Sequence, residues 1–255
     1  MTPRLKQIPL LLLILVTLGC SLPALPFLQG KPTPAGSIAP QFANFQAPAL
    51  SMDLQPFQDA GCKTDPAGQL RCPPNLPPFD QFGCFEIIEA SPLLGGLTPR
   101  IPLMRCIRDQ IPDKELNPDE YFFNQGCLVG SYVRYLAYRE GQFELIRNPA
   151  ELKAAFGPVE SADEALSFAL AATGFKALYG LKNENMRYLA PQISDTQVQV
   201  ELERYKVTLY SYATCGCGPH AMSLRVVYVT FAGDVDVYDP QPVWEDPTQD
   251  DLCVD

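Results

Sequence analysis

The residues of this chain with the most reactive side chains are nine cysteines and a single histidine. Their densest grouping is Cys215-Gly-Cys217-Gly-Pro-His220. Zinc knuckles and haem-attachment sites both place two residues between paired cysteines, and this grouping has only one. We therefore expect structural disulfides here, with soft-metal binding and a reactive thiol as the alternatives.

Eight of the nine cysteines lie beyond residue 60. Their even number predicts four disulfides, provided that the chain reaches an oxidising compartment. The most local pair is Cys62 with Cys72, because the four residues at 65–68 between them read as a tight turn. We also expect Cys84 to pair with Cys106, and Cys253 to pair with one of the two cysteines in the dense grouping. The full set is Cys62, Cys72, Cys84, Cys106, Cys127, Cys215, Cys217 and Cys253.

Histidine-dependent catalysis would have to use His220, which follows a proline and two cysteines. No glycine-serine-glycine elbow precedes a helix, and no glycine-rich loop could hold a phosphate. We expect His220 to be a turn or surface residue, and the sequence indicates no cofactor.

Acidic residues near the C-terminus are the candidate ligands for a metal. Calcium prefers several oxygen ligands, and Asp234, Asp236 and Asp239 could supply them. The spacing lacks the glycine and the terminal glutamate of an EF-hand loop. A solvated sheet edge is the other interpretation of these carboxylates.

Tyrosines are the candidate recognition residues. Tyr132, Tyr135 and Tyr138 lie on one predicted hairpin, and three more tyrosines follow between residues 205 and 212. Tyrosine is common at interfaces, so these residues could line an exposed sheet face. Alternatively, they complete a core with their hydroxyl groups at its margin.

The N-terminus carries the signals of export. Arg4 and Lys6 precede an apolar run at 8–18, which is too short to cross a bilayer and has the form of a secretory signal. The run ends in Thr17-Leu18-Gly19-Cys20, which resembles the lipobox of bacterial lipoproteins. The resemblance implies removal of residues 1–19, diacylation of Cys20, and an anchor in the cell membrane or the outer membrane with the protein facing the extracytoplasmic side. Cleavage after Ser37 is the alternative.

Proline marks the next two segments. Residues 20–60 have frequent prolines and no helical or strand period, which predicts an extended tether. Four phenylalanines in this segment could instead pack against the folded part. Residues 61–118 combine prolines with four cysteines and predict a loop-rich region stapled by disulfides, with one short strand at 85–88.

Residues 119–255 show regular patterns. A hairpin is predicted from strands at 128–139 and 142–147, followed by capped helices that start after Asn148 and Ser161. Strands are then predicted at 197–203, 206–212, 222–231 and 235–238, with a turn at 232–234. Helices grouped between hairpins predict an α+β domain with an antiparallel sheet.

The net charge of −10 excludes a nucleic-acid binder, because phosphate neutralisation needs a basic face. The sequence therefore indicates a membrane-anchored, non-enzymatic binding module with a protein, peptide or glycan partner at the cell envelope. An exported hydrolase that uses carboxylates, with or without calcium, is the alternative, and a purely structural envelope component is a third hypothesis.

Overall fold

The computed structural model describes residues 38–109, 117–127 and 130–254. In this part of the chain the helices are α1 (Gln55–Asp59), α2 (Pro149–Phe156) and α3 (Ala162–Thr173), with single 3-10 turns at Asp80–Phe82, Pro92–Gly96, Pro118–Glu120 and Pro247–Gln249. The strands are β1 (Gln41–Ala43), β2 (Lys63–Thr64), β3 (Leu70–Cys72), β4 (Glu86–Glu89), β5 (Leu103–Asp109), β6 (Phe123–Gln125), β7 (Ser131–Arg139), β8 (Gln142–Ile146), β9 (Arg187–Tyr188), β10 (Gln192–Ser194), β11 (Gln197–Val200), β12 (Arg204–Tyr212), β13 (Gly216–Cys217), β14 (Ala221–Thr230), β15 (Val235–Val237), β16 (Gln241–Glu245) and β17 (Cys253–Val254).

Two antiparallel sheets account for most of these strands. The first sheet has the order β2-β3-β4-β5-β7-β6, with β8 also paired to β7. The second sheet has the order β11-β12-β14-β16-β9, with β15 also paired to β14. Two smaller ladders join β1 to β10 in parallel and β13 to β17 in antiparallel fashion. The predicted α+β class with antiparallel pairing is confirmed.

The main core forms where the inner faces of both sheets meet helix α3. Leu103 and Val133 of the first sheet belong to the same buried cluster as Val207 and Val229 of the second. Every residue of α3 from Glu164 to Ala172 is buried. A helix that is apolar on all sides must be enclosed, and α3 satisfies this requirement by packing between the two sheets.

Local signals position α2, α3 and the β7–β8 hairpin as predicted. Asn148 accepts a hydrogen bond from the Glu151 backbone N–H at the start of α2. Ser161 and Glu164 form a reciprocal capping box at the start of α3. In the two-residue hairpin turn, Glu140 and the glycine after it both have positive φ, the geometry that matches the twist of antiparallel strands.

One predicted strand is shorter than expected. Strict alternation at 197–203 predicted a strand with Val198, Val200 and Leu202 on a buried face, but β11 ends at Val200. Val200 is 67% exposed and Leu202 is 98% exposed. The prediction was wrong at this end because only Val198 reaches the main core.

The segment at 38–60, predicted as part of a tether, is instead integrated into the fold. Phe57 of α1 is fully buried beneath the outer face of the first sheet. Phe42 of β1 contacts Tyr188 edge to face, at 5.5 Å between ring centroids. Burial of these aromatic rings supplies the free energy that a solvated spacer would lack. The tether prediction for residues 20–37 lies outside the described residues.

Residues 61–118 contain more regular structure than the prediction of a loop-rich region allowed. Strands β2 to β5 form one half of the first sheet, and β5 pairs with β7 from Leu103 to Asp109. The predicted boundary near residue 118 is therefore wrong, because this ladder runs across it. The short strand expected at 85–88 is confirmed as β4.

Four disulfides connect the eight downstream cysteines, as predicted. Two are the local pairs Cys62–Cys72 and Cys84–Cys106 within the first sheet. Cys217–Cys253 joins the small β13–β17 ladder. The fourth, Cys127–Cys215, connects the chain just after β6 of the first sheet to the chain just after β12 of the second.

Candidate functional site

A cleft of about 640 Å³ opens where the C-terminal end of α3 meets both sheets. We call this space the cleft. The first sheet contributes side chains from β5, β6 and β7, and the second contributes the end of β12. Its described lining residues are Ser91, Leu93, Leu94, Arg105, Phe123, Asn124, Gln125, Tyr135, Leu170, Thr173, Gly174, Phe175, Lys176, Ala177, Leu178, Tyr210, Ser211, Tyr212 and Thr214.

The end of α3 fixes one wall of the cleft. Gly174 ends the helix in the left-handed region, at φ 67°. A Cβ atom at this position would overlap the Phe123 ring of β6. The Tyr135 hydroxyl donates to the Ala171 carbonyl oxygen at 3.1 Å and ties β7 to the last turn of the helix. Only glycine permits both this backbone conformation and the close approach of β6.

The opposite wall follows the chain after α3. Lys176 pairs with Tyr210 of β12 through two backbone hydrogen bonds, of 2.8 and 2.9 Å. Beside it, the guanidinium carbon of Arg225 lies 5.0 Å from the centroid of the Phe175 ring. Arg225 Nε donates to Ser211 Oγ at 2.8 Å. Burial lowers the pKa of Arg225, and the charge of Asp239 acts in the opposite direction.

Arg105 lines the cleft from β5, which lies between β4 and β7 in the first sheet. It projects from β5 beside Tyr135, its partner on β7. Its Nη2 donates to the side-chain oxygen of Gln125, whereas its Nε is buried and has no hydrogen-bond partner among the described residues. Burial raises the pKa of Tyr135, and the charge of Arg105 opposes that shift. A buried guanidinium N–H without an acceptor costs free energy, and an acceptor that reached it would offset that cost.

The charge of the cleft is opposite in sign to that of the chain. Among its described lining residues Arg105 and Lys176 carry positive charge, and none is an aspartate or a glutamate. The whole chain has a formal charge of −10. No described lining residue would therefore set a carboxylate against an anion, and aromatic and aliphatic side chains lie in the same lining. The carboxylate hydrolysis considered as the alternative has no acidic side chain in this lining.

The tyrosines proposed for recognition are mainly core residues. Tyr132 and Tyr135 are buried, and the Tyr132 ring packs against Tyr121 with an interplanar angle of 32°. Tyr138 is partly buried and packs on Phe143. The hypothesis that they line one exposed face is wrong, because Tyr135 lies on the opposite face of β7 from Tyr132 and Tyr138, and all three are at least partly buried. Tyr135 nevertheless contributes to the cleft from the core side.

The acidic candidates for calcium do not converge. The Lys153 ammonium group donates to Asp234 Oδ1 at 2.6 Å and lowers the pKa of that carboxyl. Asp236 lies exposed on β15, opposite Tyr228, and Asp239 follows that strand. Within residues 38–109, 117–127 and 130–254, no three histidine, cysteine, aspartate or glutamate side chains are grouped as a metal site. The described residues therefore provide no ligand set for the calcium hypothesis.

His220 is buried rather than at the surface. Its Nδ1 lies 3.1 Å from the Ala213 carbonyl oxygen, and its Nε2 lies 3.0 Å from the Leu252 carbonyl oxygen. Both cysteines of the grouping that precedes it are in disulfides. Of the expected surface or turn position, the turn position holds, because His220 lies in the connection between β13 and β14, but the surface position was wrong, because the ring is buried between the chain after β12 and the chain before β17.

Sequence reasoning missed Arg105 as a site residue. The available signal was a charged residue on an apolar face of a strand. Arg105 shares its face of β5 with Leu103, which belongs to the main core. Lys176 and Phe123 gave no comparable signal. Lys176 reaches the cleft through pairing with Tyr210 of β12, and Phe123 through pairing with Val133 of β7.

The lipidation site at Cys20, the leader at 1–19 and the alternative cleavage after Ser37 lie outside the described residues. Within the described part of the chain, no helix is long and apolar enough to cross a membrane. No protein-family model, curated protein or solved structure matches the chain.

Proposed function

We propose that this chain is a lipid-anchored extracytoplasmic binding protein that takes a small, partly apolar anion in the cleft. The observation that carries the proposal is that Arg105 lines a space without acidic side chains among its described residues, while its guanidinium Nε has no acceptor there. A carboxylate or phosphate would pair with this guanidinium, and Lys176 would add a second positive charge at the rim. The apolar part of the ligand would lie against Phe123 and Phe175.

The anchoring half of the proposal rests on the lipobox-like Thr17–Cys20 and on the export that four disulfides require. The test is the intact mass of the membrane-extracted protein, before and after reduction and alkylation. We expect an acylated N-terminus at Cys20, and no thiol that reacts before reduction. A chain that retains its initiator methionine and has titratable thiols would contradict this half.

The binding half is tested by thermal unfolding of the full chain with pairs of ligands. Each pair consists of an aromatic carboxylate, such as phenylpropionate, and its uncharged amide. A ligand that binds only the folded state raises the melting temperature by mass action. We expect a saturable rise with the acid and a much smaller one with the amide.

Two substitutions that each remove one positive charge, Arg105→Gln and Arg100→Gln, test whether the rise in melting temperature comes from the cleft. Arg105→Gln should abolish the rise, and Arg105→Lys should retain part of it. Arg100→Gln removes an exposed arginine outside the cleft and should leave the rise intact. An equal response of Arg105→Gln and Arg100→Gln to the acid would refute the cleft as the binding site.

A further inference from the structure

The four disulfides differ in how far solvent reaches them. Cys217 and Cys253 are both exposed. The other three pairs each include a buried or partly buried cysteine: Cys62–Cys72, Cys84–Cys106 and Cys127–Cys215. A thiolate reduces a disulfide by direct attack on one of its sulfur atoms, so its access to those atoms helps to set the rate. Access therefore favours reaction at the disulfide between β13 and β17.

This disulfide also lies outside the parts of the fold that hold the core together. Cys217 is directly opposite Cys253 in a ladder of two residues per strand, and this ladder is separate from both large sheets. Neither cysteine belongs to a buried core cluster, whereas both disulfides of the first sheet pack in or against one. Opening the bond between β13 and β17 therefore removes no side chain from the core.

Other contacts keep the two cysteines side by side when the bond between them is open. The Gly218 backbone N–H donates to the Leu252 carbonyl oxygen at 2.9 Å, and His220 Nε2 lies 3.0 Å from the same oxygen. The Arg187 guanidinium donates to both carboxylate oxygens of Asp250, at 2.9 and 2.8 Å. Two thiols held in this way have a high effective concentration, so the bond re-forms within the same pair.

We propose that Cys217–Cys253 is a thiol–disulfide exchange site for an extracytoplasmic protein that carries a Cys-X-X-Cys dithiol. One thiolate of the dithiol attacks Sγ of either cysteine, which breaks the bond between them and forms a mixed disulfide. The second thiolate of the dithiol then attacks its own partner sulfur and releases the chain. The two electrons and two protons that the dithiol loses are those that the chain gains as two thiols, and the reverse steps restore the disulfide.

The close pairing of the two cysteines is what favours a dithiol over a monothiol. After a monothiol attacks, the cysteine that it releases lies beside the mixed disulfide and displaces the monothiol again. A dithiol completes the reduction by its own second thiolate. Both cysteines lie outside the cleft lining, so this exchange is independent of ligand binding in the cleft.

The first test is an equilibrium titration of the full chain with mixtures of reduced and oxidised dithiothreitol. Thiols are blocked with N-ethylmaleimide after an acid quench, and the labelled cysteines are identified by mass spectrometry. We expect Cys217 and Cys253 to be labelled together at a ratio of reduced to oxidised reagent at least about tenfold below that needed for any other pair. Reduction of another pair first, or of all four pairs together, would overturn the proposal.

The partner class is tested with a thioredoxin whose second active-site cysteine is replaced by serine, because this form cannot complete the second step. We expect it to be trapped as a mixed disulfide on Cys217 or Cys253. Glutathione at the same thiol concentration should leave the pair mostly oxidised. Reduction by dithiothreitol without any trapped thioredoxin, or complete reduction by glutathione, would overturn the assignment of a dithiol protein.

A substitution tests whether the surrounding contacts hold the pair together. Arg187→Gln removes the two hydrogen bonds to Asp250. Arg139→Gln is the matched control, because it removes an exposed ion pair with Glu144 in the β7–β8 hairpin. We expect Arg187→Gln alone to shift the dithiothreitol equilibrium severalfold toward the reduced pair, since it lowers the effective concentration of the two thiols. Equal equilibria in the two variants would contradict this basis for reversible exchange.

Discussion

Arg105 is the residue on which the functional account depends. A guanidinium on the inner face of a sheet loses hydration, and this loss is normally offset by a carboxylate or by several carbonyl acceptors. Here a glutamine oxygen accepts one N–H, and the buried Nε has no acceptor among the described residues. On the proposed function, an anion that pairs with this guanidinium would offset part of the lost hydration, and this gain in free energy would favour binding.

Gly174 is predicted to be essential for the wall of the cleft. Gly174→Ala would combine left-handed strain, about 1–2 kcal/mol, with overlap between the new Cβ and the Phe123 ring. Gly180→Ala is the matched control, because Gly180 has nearly the same φ, 68°, and nothing within 4 Å of its added Cβ. Urea denaturation should show a clearly larger loss of stability for Gly174→Ala. Equal losses would mean that β6 does not pack against the end of α3 as described.

At the scale of elements, local chemistry decided which parts of the fold could be predicted. The start of α3 depends on Ser161 and Glu164, three residues apart, and its end depends on Gly174. The β7–β8 hairpin depends on a two-residue turn. Signals of this kind are complete within a few residues, so the sequence shows them directly.

Long-range pairing could not be predicted in the same way. β1 joins β10, about 150 residues later, and the proline-rich context of β1 favoured a tether. The strands β2 and β3 are only two and three residues long, so their alternation was too brief to recognise. The cleft combines β5, β6, β12 and the chain after α3, and no local pattern brings these segments together.

The early end of β11 makes a direct prediction about two leucines. Leu202 is 98% exposed beyond the strand, whereas Leu209 of β12 is fully buried in the main core. Leu202→Ala should change the free energy of unfolding by less than about 0.5 kcal/mol. Leu209→Ala should cost about 2–5 kcal/mol, because it leaves a cavity. A large loss of stability for Leu202→Ala, measured by urea denaturation, would contradict the end of β11 at Val200 and favour the longer predicted strand.

At the scale of the whole molecule, one disulfide joins the two sheets near the mouth of the cleft. Cys127 lies two residues after Gln125, and Cys215 follows Thr214, and both of these neighbours line the cleft. Replacing both cysteines by serine should cost about 5 kcal/mol in the chain-entropy model and should also weaken binding of phenylpropionate.

The control for that disulfide is the exposed Cys217–Cys253 pair, which closes a shorter loop in the C-terminal ladder. Its double serine variant should lose a similar amount of stability, about 4 kcal/mol, with little change in ligand affinity. Denaturation and ligand titration of both variants provide the comparison. Equal losses of affinity would show that the link between the sheets has no special role at the cleft.

Acid stability follows from aspartates with lowered pKa values. Hydrogen bonds from Arg187 lower the pKa of Asp250, and a hydrogen bond from the Gln69 backbone, followed by one from Arg71, lowers that of Asp65. A lowered folded-state pKa gives stability that is fully present above the ordinary value of 3.8 and is lost as the pH falls through the folded value.

We therefore expect the urea midpoint to be nearly constant from neutral pH down to about pH 5 and to fall below pH 3.8. Asp250→Asn should lower the midpoint at neutral pH, and its curve should converge with that of the parent chain in acid. A constant difference between the two curves at every pH would show that the carboxylate charge is not the source of the stability.

The most direct test of the central claim is the NMR signal of the Arg105 Nε–H group in nitrogen-labelled protein, assigned by its absence in Arg105→Lys. Titration with phenylpropionate should shift this signal progressively to a plateau, because the carboxylate provides the acceptor that the buried N–H lacks. The uncharged amide should leave the signal nearly unchanged. A signal that does not move while phenylpropionate demonstrably binds would contradict the assignment of Arg105 as the anion-binding residue.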